Sequence, residues 1–306
     1  IIESMNDLSP TIKEAYQKVT YYRGVELFND KRFREAVRHF DKSLQHPIDE
    51  GITAQAHFWK AEISLQGDDY IGAISEYRKF KSLAKVSQRL PLSTTSAAAD
   101  YGIGYAYFEQ EDYQSAVRYF ADAKSGIQRY PNSAEGAQLK KRLLPDATLR
   151  LADCQFMLKS YDNALANYKE ISNDRAPDTD YALYQQGMIQ GVKGNIAGKR
   201  KAMNQVIRNY PGSFYYDDAL YQLASAHLLE KNNNDAIRAV NQLIEEEPRS
   251  PYVLQSLMKV ALIYYNTRQD QKAIEYYSRV AETYPGTPEA GEALAQVKRI
   301  SVELGD

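Results

Sequence analysis

The sequence of 306 residues contains one cysteine, Cys154, so no disulfide can form within the chain. It has no run of eighteen or so uncharged apolar residues, which argues against a membrane-embedded helix. Its 38 basic and 40 acidic residues leave a formal net charge of -2. That balance gives no general attraction to nucleic acid or to anionic lipid. One cysteine does not distinguish a reducing compartment from an oxidising one.

The chain also lacks an initiator methionine and a basic-then-apolar signal segment at its start, Ile1 to Ser4. We interpret it as a piece of a longer protein. Residues 1–8 are expected to be an N-terminal extension or the end of a preceding segment.

Motifs that carry chemistry are missing. The glycines of "GNIAGKRK", Gly194 to Lys201, have the wrong spacing for a phosphate-binding loop, and no Ser or Thr follows the lysine. The four histidines show no metal-ligand spacing and no HExxH motif occurs. Cys154 lies among apolar neighbours, which favours a packing role. We therefore predict no catalytic residue, no cofactor and no metal, and a protein that is not an enzyme.

What the sequence does contain is a repeat. Tyr284-Pro285-Gly286-Thr287 repeats Tyr210-Pro211-Gly212-Ser213, and Glu247-Pro248-Arg249-Ser250 stands halfway, at a spacing of 37. Such a period indicates stacked structural repeats. The prolines are predicted to end one helix and Ser213, Ser250 and Thr287 to cap the next, with Pro251 and Pro288 at its first position.

Two small-residue positions define the repeat. The earlier position precedes the later one by twelve residues, and a bulky residue follows four after the later one. Small residues let two antiparallel helices approach closely, and the bulky residue fills the space beside them. The earlier position holds Gly24, Ala61, Gly104, Ala152, Gly187, Ala224 and Ala261, and the later holds Ala36, Ala73, Ala116, Ala164, Lys199, Ala236 and Ala273.

These positions predict seven repeats over residues 9–286 and a C-terminal capping helix over 287–306. The uneven spacing places extra residues at Lys85 to Thr95 and at Asn132 to Leu144, which we expect to be connecting loops. An interaction role for these insertions stays open.

The segment "YGIGYAYFEQEDYQSAVRYFADA", Tyr101 to Ala123, resembles the tetratricopeptide repeat. The resemblance implies an all-α fold, a right-handed superhelical solenoid of antiparallel helix pairs. The phrase "YPGSxYxxDALYxLA" is similar to bacterial envelope members of the family, such as outer-membrane assembly lipoproteins and Tol-system periplasmic coordinators. A periplasmic or outer-membrane-associated location follows as the first expectation, and the cytoplasm remains an alternative.

In this family the first helix of each pair lines a concave groove. The resemblance points to positions three before, one after and four after the earlier small residue. Plain packing against the neighbouring repeat is the alternative role for each ring. The predicted protein-binding residues are Tyr21, Phe28, Phe58, Tyr101, Tyr105, Phe108, Tyr184, Tyr221 and Tyr265.

The family's carboxylate clamp is absent, because the matching positions carry Tyr21, Val25, Trp59, Ala98 and Gly102. The expected partner is therefore an apolar or aromatic protein segment and not a free acidic C-terminus. We expect a non-enzymatic scaffold for protein-protein interaction in envelope assembly, with Tyr101, Tyr105 and Phe108 as anchors. The alternative is the helical frame of a larger enzyme or of a glycan-binding outer-membrane lipoprotein.

Overall fold

The structure is a computed structural model that describes residues 9–84 and 90–305. Within these ranges the chain forms fifteen α-helices and no strand, so the predicted all-α repeat fold is confirmed. The N-terminal extension predicted over 1–8 lies outside the described residues. The helices are α1 (Pro10–Asn29), α2 (Phe33–Leu44), α3 (Glu50–Gln66), α4 (Tyr70–Ala84), α5 (Ser96–Glu109), α6 (Tyr113–Gln128), α7 (Ala134–Met157), α8 (Tyr161–Asn173), α9 (Thr179–Val192), α10 (Ile196–Asn209), α11 (Tyr216–Leu229), α12 (Asn233–Glu246), α13 (Val253–Asn266), α14 (Asp270–Thr283) and α15 (Pro288–Leu304).

The chain divides into two compact units, residues 1–167 and 168–306. In the first unit α1 packs on α2, α3 on α4 and α5 on α6, and α7 follows against α6. In the second unit α9 packs on α10, α11 on α12 and α13 on α14, and α15 lies against α14. Each unit is therefore built from helix hairpins stacked on their neighbours in chain order.

The small residues lie at the predicted helix contacts. The six alanines of the later position are all 0% exposed. A Cβ added at Gly24 would lie 2.6 Å from the Phe40 ring, and one at Gly104 would lie 2.8 Å from the Phe120 ring. Since real Cβ atoms do not approach that closely, these pairs require glycine. The prediction of close helix approach at these positions is confirmed.

The turn inside each hairpin has one residue in the left-handed backbone region. These residues all precede the later small position by five and have φ between 57° and 74°. Only one of the seven is glycine, so the other turns hold a side chain in a conformation that L-residues disfavour. They are Lys31, Asp68, Glu111, Lys159, Gly194, Lys231 and Arg268.

Two predicted caps are wrong. Helices α11 and α13 begin three residues after Ser213 and Ser250, so these serines do not cap them. Instead Ser213 Oγ donates to Asp180 Oδ2 at 2.6 Å, and Ser250 Oγ donates to Asp217 Oδ2 at 2.7 Å. Each hydroxyl is held by a carboxylate of the preceding repeat. Thr287 caps α15 as predicted, accepting from the amide of Ala290.

The insertion predicted as a loop over 132–144 is mostly helical. Ser133 caps α7, which begins at Ala134 and continues through Pro145. Alanine, leucine, lysine and arginine dominate this stretch and favour helix. Leu139 also packs in a cluster with Tyr130. Of the other insertion, residues 85–89 lie outside the described residues, and 90–95 form the non-helical approach to α5.

Candidate peptide-binding groove

The nine predicted binding residues all lie on first helices, but two of them are buried. Tyr21 is 5% exposed and donates a hydrogen bond to Gln55 Oε1 at 2.9 Å. Phe58 is 3% exposed, and its ring packs edge-on against Tyr77 and Phe80. These two side chains belong to the core and offer no surface to a partner. The half-buried members are Phe28, Tyr101, Tyr105, Phe108, Tyr184, Tyr221 and Tyr265.

The α5 anchors are tied to α7. The hydroxyls of Tyr101 and Tyr105 both donate to Asp146 Oδ2, at 2.7 and 2.5 Å. Burial and the Asp146 carboxylate raise the pKa of Tyr105 to about 12, so its hydroxyl remains a donor at neutral pH. The Arg150 guanidinium lies 5.8 Å from the centre of the Phe108 ring. Truncating Tyr105 therefore affects repeat packing as well as any binding surface.

In the second unit, tyrosines from successive repeats stack in pairs. Tyr184 stacks on Tyr215 with centroids 5.3 Å apart and an interplanar angle of 20°. One repeat later Tyr221 stacks on Tyr252 at 4.7 Å and 19°. Tyr215 and Tyr252 both come from the turn phrase with the 37-residue spacing. That phrase therefore supplies a ring that covers the first helix of the preceding repeat, a role that sequence reasoning missed.

Open cavities lie beside the predicted groove positions in each unit. In the first unit a cavity of about 270 Å³ is lined by Leu65, Asp68, Tyr70, Tyr105 and Glu109. Leu65 and Tyr105 hold groove positions of adjacent repeats. The structure thus leaves a concave surface next to one of the predicted anchors.

The second unit has a cavity of about 410 Å³ between α13 and α15. Met258 and Leu262 line it from groove positions, together with Lys259 and Arg299. Leu262 is 49% exposed. Arg299 also lies 4.8 Å from the centre of the Tyr265 ring. Glu289 and Glu292 of α15 line it as well, so this cavity combines the apolar Met258 and Leu262 with charged side chains of both signs.

Lys199 is the functional candidate that the predicted site omitted. It takes the later small position of its repeat and is 9% exposed. Its side chain packs against Gly191 of α9, and its amine donates a hydrogen bond to Gln222 Oε1 of α11 at 2.6 Å. The sequence showed the departure from alanine, but the direction of the side chain required the structure.

A third cavity, of about 490 Å³, lies away from the groove positions, between α8, α9 and α10. The described residues that line it include no Asp or Glu. They do include three cations, Lys169, Arg175 and Lys201, and five side-chain amides. This cavity is polar, whereas the groove cavity beside Leu262 has an apolar floor.

Residues 9–84 and 90–305 contain no group of three or more His, Cys, Asp or Glu arranged to hold a metal. None of the helices in these ranges is both long and apolar enough to cross a bilayer. Cys154 is 0% exposed, and burial raises the pKa of its thiol to about 12. The predicted packing role of Cys154 is confirmed, since a thiol in this state is unreactive.

The helix pairs of the second unit match a family model. The tetratricopeptide repeat model matches residues 181–213, 218–250 and 255–287. These three segments are tetratricopeptide repeats. The three matched repeats start 37 residues apart, which is the spacing of the repeated turn phrase. No curated protein matches the chain in sequence.

Solved structures of tetratricopeptide proteins share this fold. The C-terminal part of a repeat protein from Cytophaga hutchinsonii superposes with a TM-score of 0.66 at 13% identity, over 90% of this chain and 99% of that one. YrrB, described as having an unusual peptide-binding site, matches with a TM-score of 0.53 at 19% identity, over 71% and 96%. PilW, described as a type IV pilus biogenesis factor, matches at 0.51 and 16% identity, over 79% and 98%. At these identities the likeness shows the fold.

Proposed function

We propose that this protein is a non-enzymatic scaffold that binds a segment of a partner protein along the groove positions of its first helices. The observation that carries the proposal is the cavity between α13 and α15. It has a volume of about 410 Å³, and its Leu262 is half exposed beside Met258. Concave surfaces with an apolar floor and a few convergent polar groups are the usual form of ligand sites.

The groove favours an apolar or aromatic segment as its partner. Half-buried tyrosine and phenylalanine rings recur at the groove positions, and rings of this kind dominate interface energetics. The family's clamp for an acidic terminus is replaced in the first repeats by side chains such as Val25 and Trp59. YrrB, which shares the fold, is described as a peptide-binding protein. These features support a peptide-binding role in this chain.

We place this scaffold in bacterial envelope assembly, in the periplasm or at the outer membrane. Two features support the placement: the turn phrase similar to that of envelope members of the family, and the fold shared with PilW, a pilus biogenesis factor. Fractionation of cells that carry the tagged full-length protein tests it. Recovery of the protein only in the cytoplasmic fraction would contradict the envelope role.

The binding experiment starts from a displayed library of random peptides, selected on the immobilised protein. Leu262→Ser is expected to lower the affinity for the tightest selected peptide by about tenfold, because an exposed apolar contact of the groove is lost. Leu294→Ser is the matched control. Leu294 is 57% exposed on α15 and does not line the cavity, so its replacement is expected to leave affinity unchanged.

Fluorescence polarisation with the labelled peptide measures both affinities, and thermal melting verifies that both variants are folded. Two outcomes count against the proposal. One is a selection that returns no specific peptide, and the other is an equal effect of Leu262→Ser and Leu294→Ser.

A second candidate function rests on the polar cavity of about 490 Å³ between α8 and α10. Side-chain amides and cations suit hydroxyl-rich or acidic sugars better than apolar peptides. This cavity favours the alternative in which the repeats frame a glycan-binding protein. Thermal-shift measurements with a panel of oligosaccharides, repeated on Gln205→Ala, test that function independently of the groove.

A further inference from the structure

Lys199 stands where the other six repeats have a fully buried alanine. Its side chain passes Gly191, where an added Cβ would lie 3.0 Å from Lys199 Cδ and 3.6 Å from Nζ. The other repeats have a groove side chain at the Gly191 position. Lys199 therefore fills a groove position from the second helix and brings a charge to it. In the other six repeats the position of Gly191 holds Phe28, Leu65, Phe108, Phe156, Leu228 or Tyr265.

The Lys199 ammonium is incompletely compensated. It has three N–H donors, and the acceptor seen in the structure is the neutral Gln222 Oε1, at 2.6 Å. Among the described residues no carboxylate oxygen lies within 4.0 Å of this amine. Lys199 is nonetheless 9% exposed, and burial lowers its pKa below the usual range. Burying a cation without an anionic partner is costly, which indicates a role other than packing.

A second cation acts on the same part of α11. Lys259 of α13 donates to the Tyr221 hydroxyl at 2.5 Å and lies 3.5 Å from Ser225 Oγ. Gln222 and Ser225 are three residues apart on α11 and so share a helix face. The positive charge of Lys259 adds to the lowering of the pKa of Lys199. In the described part of the chain no carboxylate oxygen lies within 4.0 Å of the Lys259 amine, although Glu289 and Glu292 line the same cavity.

We propose that Lys199 and Lys259 form a carboxylate-binding subsite of the groove, which takes an Asp or Glu side chain within the bound segment. The Gln222 amide and the Ser225 hydroxyl are its neutral hydrogen-bonding groups. This inference rests on the proposed peptide-binding function. A side chain is favoured over a terminal carboxylate because groove positions continue within the unit on both sides, along α9 and α13, so a bound chain passes through.

Lys199→Met tests the subsite, because methionine keeps the length and removes the charge. Against the tightest peptide from the display selection, Lys199→Met is expected to lower affinity by about tenfold or more. Replacing the acidic residue of the peptide by the corresponding amide is expected to lower the affinity by about the same factor. In the double-mutant cycle the two losses should not add, because both remove one ion pair.

Lys272→Met is the matched control. Lys272 lies on α14, is exposed and lines none of the cavities described above, so the variant has the same charge change outside the groove. Its affinity is expected to match the wild type. The melting temperature of Lys199→Met should stay equal or rise, since a buried uncompensated charge is removed. Should that variant not fold, Lys259→Met carries the same test from another helix.

Each outcome separates this inference from the proposed function. Selected peptides without Asp or Glu, bound equally by wild type and Lys199→Met, would overturn the subsite and leave the groove intact. A second outcome is that amidation of the peptide C-terminus abolishes binding, while amide replacement of its acidic side chains has no effect. That result would overturn the assignment to a side chain. Failure to select any specific peptide would contradict groove binding and the subsite together.

Discussion

Replacing Phe120 by alanine is expected to lower the free energy of unfolding by about 3 to 5 kcal/mol. Phe120 is 0% exposed and contacts the backbone surface left open by Gly104. Its ring also lies edge-on to Tyr101 and Tyr105, with centroids 6.2 and 5.4 Å away. Truncation removes the side chain that joins the two helices of this hairpin and supports both groove tyrosines. Closely packed hairpins cannot collapse around such a cavity without losing these contacts.

The control is Phe214→Ala, since Phe214 is 87% exposed. Its effect is expected to stay within about 0.5 kcal/mol. Urea denaturation followed by circular dichroism measures both variants. Because stability in repeat proteins sums along the array, the whole unfolding curve of each variant is compared with that of the wild type. Equal stability of Phe120→Ala and Phe214→Ala would contradict the assigned helix contacts.

Replacing Tyr221 by alanine is expected to weaken binding of the selected peptide by about thirtyfold, equivalent to about 2 kcal/mol. The Tyr221 ring is half-buried in the groove and stacks on Tyr252. The Lys259 amine lies 3.9 Å from the centre of this ring and bonds its hydroxyl. The truncation therefore removes an aromatic surface and releases a cation of the proposed subsite.

Tyr221→Phe separates these contributions, because it keeps the ring, the stacking and the cation–π contact. Its affinity is expected to remain within about threefold of the wild type. Tyr22→Ala is the control for loss of a tyrosine, since Tyr22 is 60% exposed and not a groove residue. The peptide titrations are carried out well below the melting temperature of each variant. A Tyr221→Ala protein that is folded and binds normally would contradict this assignment.

The fold could be predicted from the sequence because the contacts that define it are local. Gly24 and Phe40 are sixteen residues apart in the chain and meet within one hairpin. A fixed spacing therefore encodes the contact directly. The caps at Ser213 and Ser250 were mispredicted because each serine has a competing partner, a carboxylate of the preceding repeat. Competition of that kind depends on how the repeats stack.

The site was less predictable for the same reason. The family resemblance places Phe58 and Phe108 at groove positions, but it does not report what covers them. Phe58 is enclosed by Tyr77 and Phe80, whereas Phe108 stays half exposed. Lys199 was visible as a departure from alanine, yet only the space left by Gly191 shows where its charge lies.

The most direct test of groove binding is to map where a bound peptide lies. A selected peptide that contains a photoreactive phenylalanine is cross-linked to the protein, and mass spectrometry locates the modified residues. We predict adducts on the groove side of the second unit, at Met258, Leu262 and Tyr265. Adducts confined to the polar cavity around Lys169, Lys201 and Tyr210 would contradict binding along the first helices.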